Sequence, residues 1–391
     1  MSKRALFLIL LIVVMIALVA VACGAPPTPQ SGVQTPILGA TALPAGSIKL
    51  TGAGATFPLP LYTQWNFAYK FADPSTAVNY QGIGSGGGKK AIVDGTVDFA
   101  GSDSLLTDAE YKAGADKGLT LQMFPTVASA VVPIVNIPEI AKTLTIDGPT
   151  LADIYLGKIT KWNDPAIVKL NPDFTMPDKP ITAVHRSDGS GTTEIFTKYL
   201  SKVSDEWKNG PGGASSIEWP VDKAGNGVGG KGNPGVAASV LAAPYSIGYV
   251  ELSFARQNNI PFFDMVNASG NKVTANADSL ASAITDFGDQ FSDKLTIDSI
   301  SNGPGAKTWP ISGYTYMIIP MNMKADPMFG CVKAQKFLDY VYWFNTNADA
   351  AAQASSLGYA VLPNTVRAKI FSTLAKVQCD GTPVPNHFAG S

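Results

Sequence analysis

Three short stretches of this chain put hydroxyls, glycines and one arginine immediately ahead of helix-forming sequence, a combination suited to holding an oxyanion. The first is Thr51-Gly52-Ala53-Gly54-Ala55-Thr56-Phe57-Pro58. Its glycines permit close backbone approach, and Pro58 suits the start of a helix whose free N–H groups and positive dipole end attract anions. The second is Gly82-Ile83-Gly84-Ser85-Gly86-Gly87-Gly88-Lys89-Lys90. Gly82, Gly84 and Gly87 fit the G-x-G-x-x-G dinucleotide fingerprint, with Asp103 near the spacing of its ribose partner. The Walker pattern fails, because Ile83 stands where Gly is needed and Lys90 replaces Ser or Thr. What survives is a glycine-rich helix start carrying the Ser85 hydroxyl. The third stretch, Arg186-Ser187-Asp188-Gly189-Ser190-Gly191-Thr192-Thr193, adds a planar guanidinium fork, two hydroxyl donors in Ser190 and Thr192, and helix-start amides.

Competing chemistry is poorly supported. A serine hydrolase elbow, G-x-S-x-G, would need Gly at position 188, which is Asp. Its base could only be His185, too near Ser190 in sequence, or His387. No Cys or His cluster has metal-ligand spacing, so no metal or other cofactor is expected. Three hydroxyl-and-amide cradles with one Arg and one Asp describe a receptor for a tetrahedral oxyanion rather than a catalyst.

The elements that must position these turns are short strands alternating with helices. Ile48 to Leu50, Ala77 to Tyr80, Ala130 to Val135, Ile247 to Val250 and Tyr316 to Ile319 read as strands. Leu61, Trp65, Ala68 and Ala72 place an apolar stripe on one helix. Thr150 with Asp153 suggests a capping box, and Asn233 before Pro234 suggests an N-cap with proline in the first turn. Val332 to Phe344 and Val366 to Val377 read as amphipathic helices. This alternation predicts an α/β architecture with mainly parallel sheets.

The N-terminus sets the compartment. Lys3 and Arg4 precede an apolar run from Ala5 to Val21, which ends in small residues before Cys23. That pattern predicts a secretory signal over residues 1–22 and a lipobox-like site at which Cys23 is acylated. An uncleaved anchor is the alternative. Gly24 to Ser47 carries no charge and is rich in Pro, Gly, Thr and Ala, a tether over residues 23–47 with an end-to-end distance of roughly 25–30 Å. Lys3 and Arg4 are two of the 29 basic side chains, which leaves 27 against 30 acidic ones and disfavours nucleic acid as a partner. Beyond Cys23 only Cys331 and Cys379 remain; an oxidising compartment favours a disulfide between them, with two buried free thiols as the alternative.

The same stretches carry a resemblance. Thr51 to Pro58, Tyr80 to Gly88, Val97 to Asp103, Asp153 to Trp162 and Arg186 to Thr192 resemble the phosphate-binding component of the bacterial phosphate-specific ABC uptake system. So do Glu206 to Lys208, Gly229 to Gly232 and Ile247 to Glu251, in order from Ile48 to about residue 365. The resemblance implies a periplasmic-binding-protein fold: two α/β lobes joined by a two-strand hinge near Val131 to Val135 and Pro310 to Thr315. Lobe I would comprise residues 48–131 and 309–391, and lobe II residues 132–308. It also implies a ligand, inorganic phosphate, and partners, the permease subunits of an ABC transporter in the membrane, served by a monomeric receptor. Carried over by residue, Thr56 and Phe57 would donate backbone N–H groups, and Thr56 and Ser85 hydroxyls. Asp103 would accept from a protonated phosphate oxygen. Arg186, Ser190, Gly191 and Thr192 would donate from lobe II, with Asp188 holding Arg186. A receptor for sulfate or molybdate, or an exported phosphate-handling hydrolase, are the alternatives; Asp103 argues against the first.

Overall fold

The computed structural model describes residues 43–140, 142–288 and 290–388. The expected signal segment, Cys23 and the tether as far as residue 42 lie outside the described residues.

One long strand organises the molecule. β1 (Ile48–Gly54), β2 (Thr76–Gly82) and β3 (Phe99–Ser102) precede β4 (Leu121–Asn136), whose 16 residues are buried along almost their whole length. After it come β5 (Thr182–Arg186), β6 (Gly227–Gly230), β7 (Ser246–Glu251), β8 (Ser312–Pro320) and the short β9 (Ala360–Val361). They form one sheet in the order β2-β1-β3-β8-β4-β7-β5-β6, with β9 added alongside β4. Leu121 to Ala130 of β4 pair with β8, whereas Val131 to Asn136 pair with β7. The strand therefore passes without interruption from one α/β half to the other. The chain returns beside it, where Ile311 O accepts from Val131 N and Trp309 Nε1 donates to Val131 O at 3.0 Å.

The expectation of mainly parallel pairing holds only at the two flanks. β1 lies parallel to β2 and β3, and β5 parallel to β6 and β7, but every pairing of β4 and β8 is antiparallel. Local pattern specifies a strand but not the direction of a neighbour distant in sequence, and β8 arrives from the far end of the chain. The β4–β8 register shifts between Thr315 and Tyr316, opposite Pro125, which has no N–H to give the ladder.

Four helices begin at the crossing of the halves: α1 (Leu59–Ala72), α2 (Ser85–Val93), α3 (Gly191–Val203) and α4 (Gly232–Ala242). On α1 the buried face is Leu61, Tyr62, Trp65, Asn66 and Tyr69, whereas Ala72 is exposed. The expected stripe is thus rotated toward the aromatics: Trp65 stacks on Phe344, and Tyr62 hydrogen-bonds Thr126 at 2.8 Å. Two expected caps also move. The helix Gly148–Tyr155 is capped by Asp147, whose carboxylate accepts from Thr150 N, and α4 starts from Lys231, so Asn233 already lies inside the first turn. The helix Asn364–Leu374 stops short of Val377. Cys331 and Cys379 are bonded to each other, closing a separation of 48 residues.

Candidate functional site

Each glycine-rich turn follows a strand of the sheet and ends at the N-terminus of α1, α2 or α3. Four helix starts, α4 included, therefore direct their partial positive charge into one region. On the first turn the N–H groups of Thr56 and Phe57 have no acceptor among the described residues, and both side chains are buried. On the third, Ser190 caps α3 by accepting from Thr193 N at 3.1 Å, which leaves its own proton to give. The amide of Thr192 has no partner among the described residues.

Glycine is required at the two closest approaches. Gly84 has φ +86°, and a Cβ there would lie 2.3 Å from Asp188 Oδ2. A Cβ on Gly191 would lie 2.4 Å from Asp103 Cβ. Any side chain would force these turns apart.

Charge in the site is sparse and ordered. Arg186 is 4% exposed, and its Nε and Nη2 grip Asp188 in a fork at 2.7 and 2.6 Å. Burial pushes the Asp188 carboxyl up, but the Arg186 fork, its charge and the Gly232 amide outweigh this and hold it below the usual carboxylate range. The remaining guanidinium nitrogen, Nη1, is buried with no partner among the described residues. Leaving such a donor unpaired costs free energy, so an acceptor belongs opposite it.

Asp103 is the acid of the group. Its Oδ1 accepts from Thr315 Oγ1 at 2.7 Å, and Ser85 Oγ lies 3.4 Å from Oδ2. Burial drives its carboxyl up to about 7, against the pull of Thr315, the Arg186 charge and Ser85, while the Glu251 carboxylate adds to the rise. Near neutrality this side chain exchanges a proton readily.

The residues expected to meet the anion fall into separate hydrogen-bonded groups at this convergence, among them Ser85 with Asp103 and Gly191, Arg186 with Asp188, and Thr56 with Thr192 through Asn233. The Gly191 amide donates to Ser85 Oγ at 3.0 Å, and Gly86 N donates to Gly189 O, also at 3.0 Å. These bonds join the α2 and α3 turns directly. Two members were not singled out for the site. Thr315 is set beside Asp103 by the antiparallel β8–β3 pairing, in which Tyr316 faces Ser102, and nothing local in the sequence announces that pairing. Asn233 links Thr56 to Thr192; its place beside Pro234 suggested only a cap. The competing base is occupied elsewhere: His185 stacks on Trp219, its Nε2 lies 2.8 Å from Asp222, and its Nδ1 faces the Arg186 carbonyl. No group of three or more potential metal ligands occurs among the described residues.

Comparison with known proteins adds kinship to this geometry. A family model described as a PBP superfamily domain matches residues 30–343. The phosphate-binding protein PstS of Xylella fastidiosa is 43% identical over 319 residues, 81% of this chain and 82% of that protein. Its namesake from Methanocaldococcus jannaschii is 35% identical over 328 residues, 82% of this chain and 84% of that one. Among solved structures, a high-affinity periplasmic phosphate-binding protein (PfluDING) bound with phosphate gives a TM-score of 0.67 at 21% identity, covering 86% of this chain and 99% of that one. A phosphate-binding protein from Stenotrophomonas maltophilia gives 0.64 at 19%, covering 86% and 99%. These two share the periplasmic-binding-protein fold with the body described above. The chain therefore belongs to the PBP superfamily and, within it, to the PstS family of phosphate-binding proteins.

Proposed function

We propose that this protein is an extracytoplasmic receptor that binds inorganic phosphate between its two halves and delivers it to the permease of an ABC transporter, without catalysing a reaction. The observation that carries the reading is Arg186: a buried cation, held from behind by Asp188, with one guanidinium nitrogen still unpaired among the described residues. Around it stand the unpaired Thr56, Phe57 and Thr192 amides and the Ser190, Thr192, Thr56 and Ser85 hydroxyls. A dehydrated dianion needs such fixed donors, because burial strips it of water. Asp103 offers the contrasting group, an acceptor for the proton that hydrogen phosphate carries and sulfate lacks. Asp188 supports the fork from the second rank.

Titration calorimetry with inorganic phosphate tests the reading. Arg186→Ala should weaken binding by roughly 30-fold to several thousandfold, since a charge-assisted contact is lost and Asp188 is left unpaired beside an anion. A change under about threefold would place the anion elsewhere. The lobe boundaries at residues 131 and 309 and the anchor at Cys23 belong to the same proposal. Cys23→Ser should release a soluble form from membranes or block signal cleavage; ordinary processing with full membrane retention counts against acylation.

A further inference from the structure

Asn233 is wholly buried in the first turn of α4, and its hydrogen bonds account for every polar atom of its side chain. Its Oδ1 accepts from Glu251 N at 3.0 Å, which fixes the orientation of the amide. Nδ2 must then face the other way, where it donates to Thr56 Oγ1 at 2.9 Å and Thr192 Oγ1 at 3.1 Å. The Asn233 backbone N also donates to Thr56 Oγ1, at 3.0 Å.

A hydroxyl owns one proton and two lone pairs. Thr56 Oγ1 takes two N–H donors, so both lone pairs are engaged and donation is the one capacity it has left. Thr192 Oγ1 takes one, which biases it the same way. Both side chains border the turns whose amides remain unpaired. Thr56 follows β1 in one half, whereas Asn233 and Thr192 begin α4 and α3 in the other. The bonds to Thr56 therefore exist only while the halves are together.

We propose that Asn233 is the positioning residue that makes the Thr56 hydroxyl an obligate donor to the bound oxyanion and biases the Thr192 hydroxyl toward donation, and that it acts on Thr56 only on closure. The inference rests on the phosphate-receptor reading. It also deepens it, because a Thr56 hydroxyl that cannot accept turns the ligand's proton toward Asp103. A proton on the ligand oxygen that faces Thr56 would set a donor against a donor, so the ligand's proton belongs opposite Asp103. Asn233 thus supplies the second side of the proton count that Asp103 begins.

The experiment is a mutant cycle read by calorimetry with inorganic phosphate on the mature chain, with thermal unfolding of each anion-free variant alongside. Asn233→Ala should weaken phosphate by about tenfold, since two hydroxyls lose their fixed orientation. Asn233→Asp should weaken it by about a hundredfold or more, because a carboxylate draws both threonine protons to itself and adds a like charge. In a Thr56→Val, Thr192→Val background, Asn233→Ala should cost under about threefold, there being no hydroxyl left to orient. The fall in wild-type affinity as phosphate gains its second proton should also flatten in Asn233→Ala. An equal cost in both backgrounds, with an unaltered pH profile, would make Asn233 a strut and overturn the proposal. Should Asn233→Ala fail to fold, Asn233→Ser enters the same cycle. Thr56→Val alone must still weaken phosphate by at least about fivefold, or the donor role is wrong. Wild-type protein that binds no phosphate refutes the receptor reading instead, a result separate from any of these.

Discussion

At the scale of single residues, most of the candidate site could be singled out in the sequence, because an oxyanion cradle uses local grammar. A hydroxyl or glycine before a helix declares itself in sequence, and Thr56, Ser85, Ser190 and Thr192 were singled out this way. What stayed hidden were the groups that touch the site from a distance: Thr315 is 212 residues from Asp103, and Asn233 is 177 from Thr56. Selectivity is a residue-scale property, and on the proposed reading it rests on Asp103. Asp103→Asn preserves shape but replaces a carboxylate with a group that also donates. Sulfate should gain most, because two facing acceptors no longer repel, while phosphate can accept from the amide or donate to its oxygen. The phosphate-to-sulfate preference should shrink by at least tenfold, about 1.4 kcal/mol, in competition calorimetry. The wild-type preference should shrink likewise as pH falls through about 7, where the buried Asp103 carboxyl takes up its own proton. An unchanged ratio in both experiments would assign selectivity to other groups.

At the scale of elements, strand and helix existence followed from periodicity, but direction and register did not. β4 and β8 were recognisable as apolar runs, yet their antiparallel pairing comes from the return of the chain after about 180 residues, a topological fact. The end of β7 shows what that pairing assembles. Glu251 is wholly buried there and accepts from Ser129 of β4 at 2.7 Å and from Ser253 N at 3.0 Å, while the Tyr359 hydroxyl, 3.0 Å from its Oε2, lies 2.7 Å from Phe57 O and shares its one proton between the two. Burial pushes the Glu251 carboxyl up to about 7, although Ser129, Ser253 and Tyr359 all pull the other way. Its unfolded value is about 4.3, so the folded state binds the proton more tightly. The resulting stabilisation is fully present below the unfolded value and is lost as pH rises through about 7. The unfolding free energy of wild type minus that of Glu251→Gln should therefore fall by on the order of 3 kcal/mol between acid and mildly alkaline pH. Denaturant melts across that range would check it, and a pH-independent difference would mean that Glu251 does not titrate there.

At the scale of the whole molecule, the halves meet through residues of the proposed phosphate site. Gly86 N donates to Gly189 O, Ser85 accepts from Gly191 N, and Asn233 holds Thr56, so the conformation described is a closed one. Closure brings four helix N-termini and the Arg186 guanidinium into one desolvated region, which concentrates positive potential. Without an anion that convergence opposes closure; with one, the donors of both halves are satisfied together. Phosphate should accordingly shift the population toward the closed form by its differential affinity for it. The two-strand connection through β4 and the chain entering β8 lets the halves rotate as bodies about a narrow waist. Solution scattering on the body beyond the tether should then show a smaller radius of gyration at saturating phosphate than in its absence. Arg186→Ala should need far more phosphate to reach the same compaction, in proportion to its lost affinity. A radius that does not respond to saturating phosphate would mean that the halves are already together in the free protein, and that binding is to a preformed site.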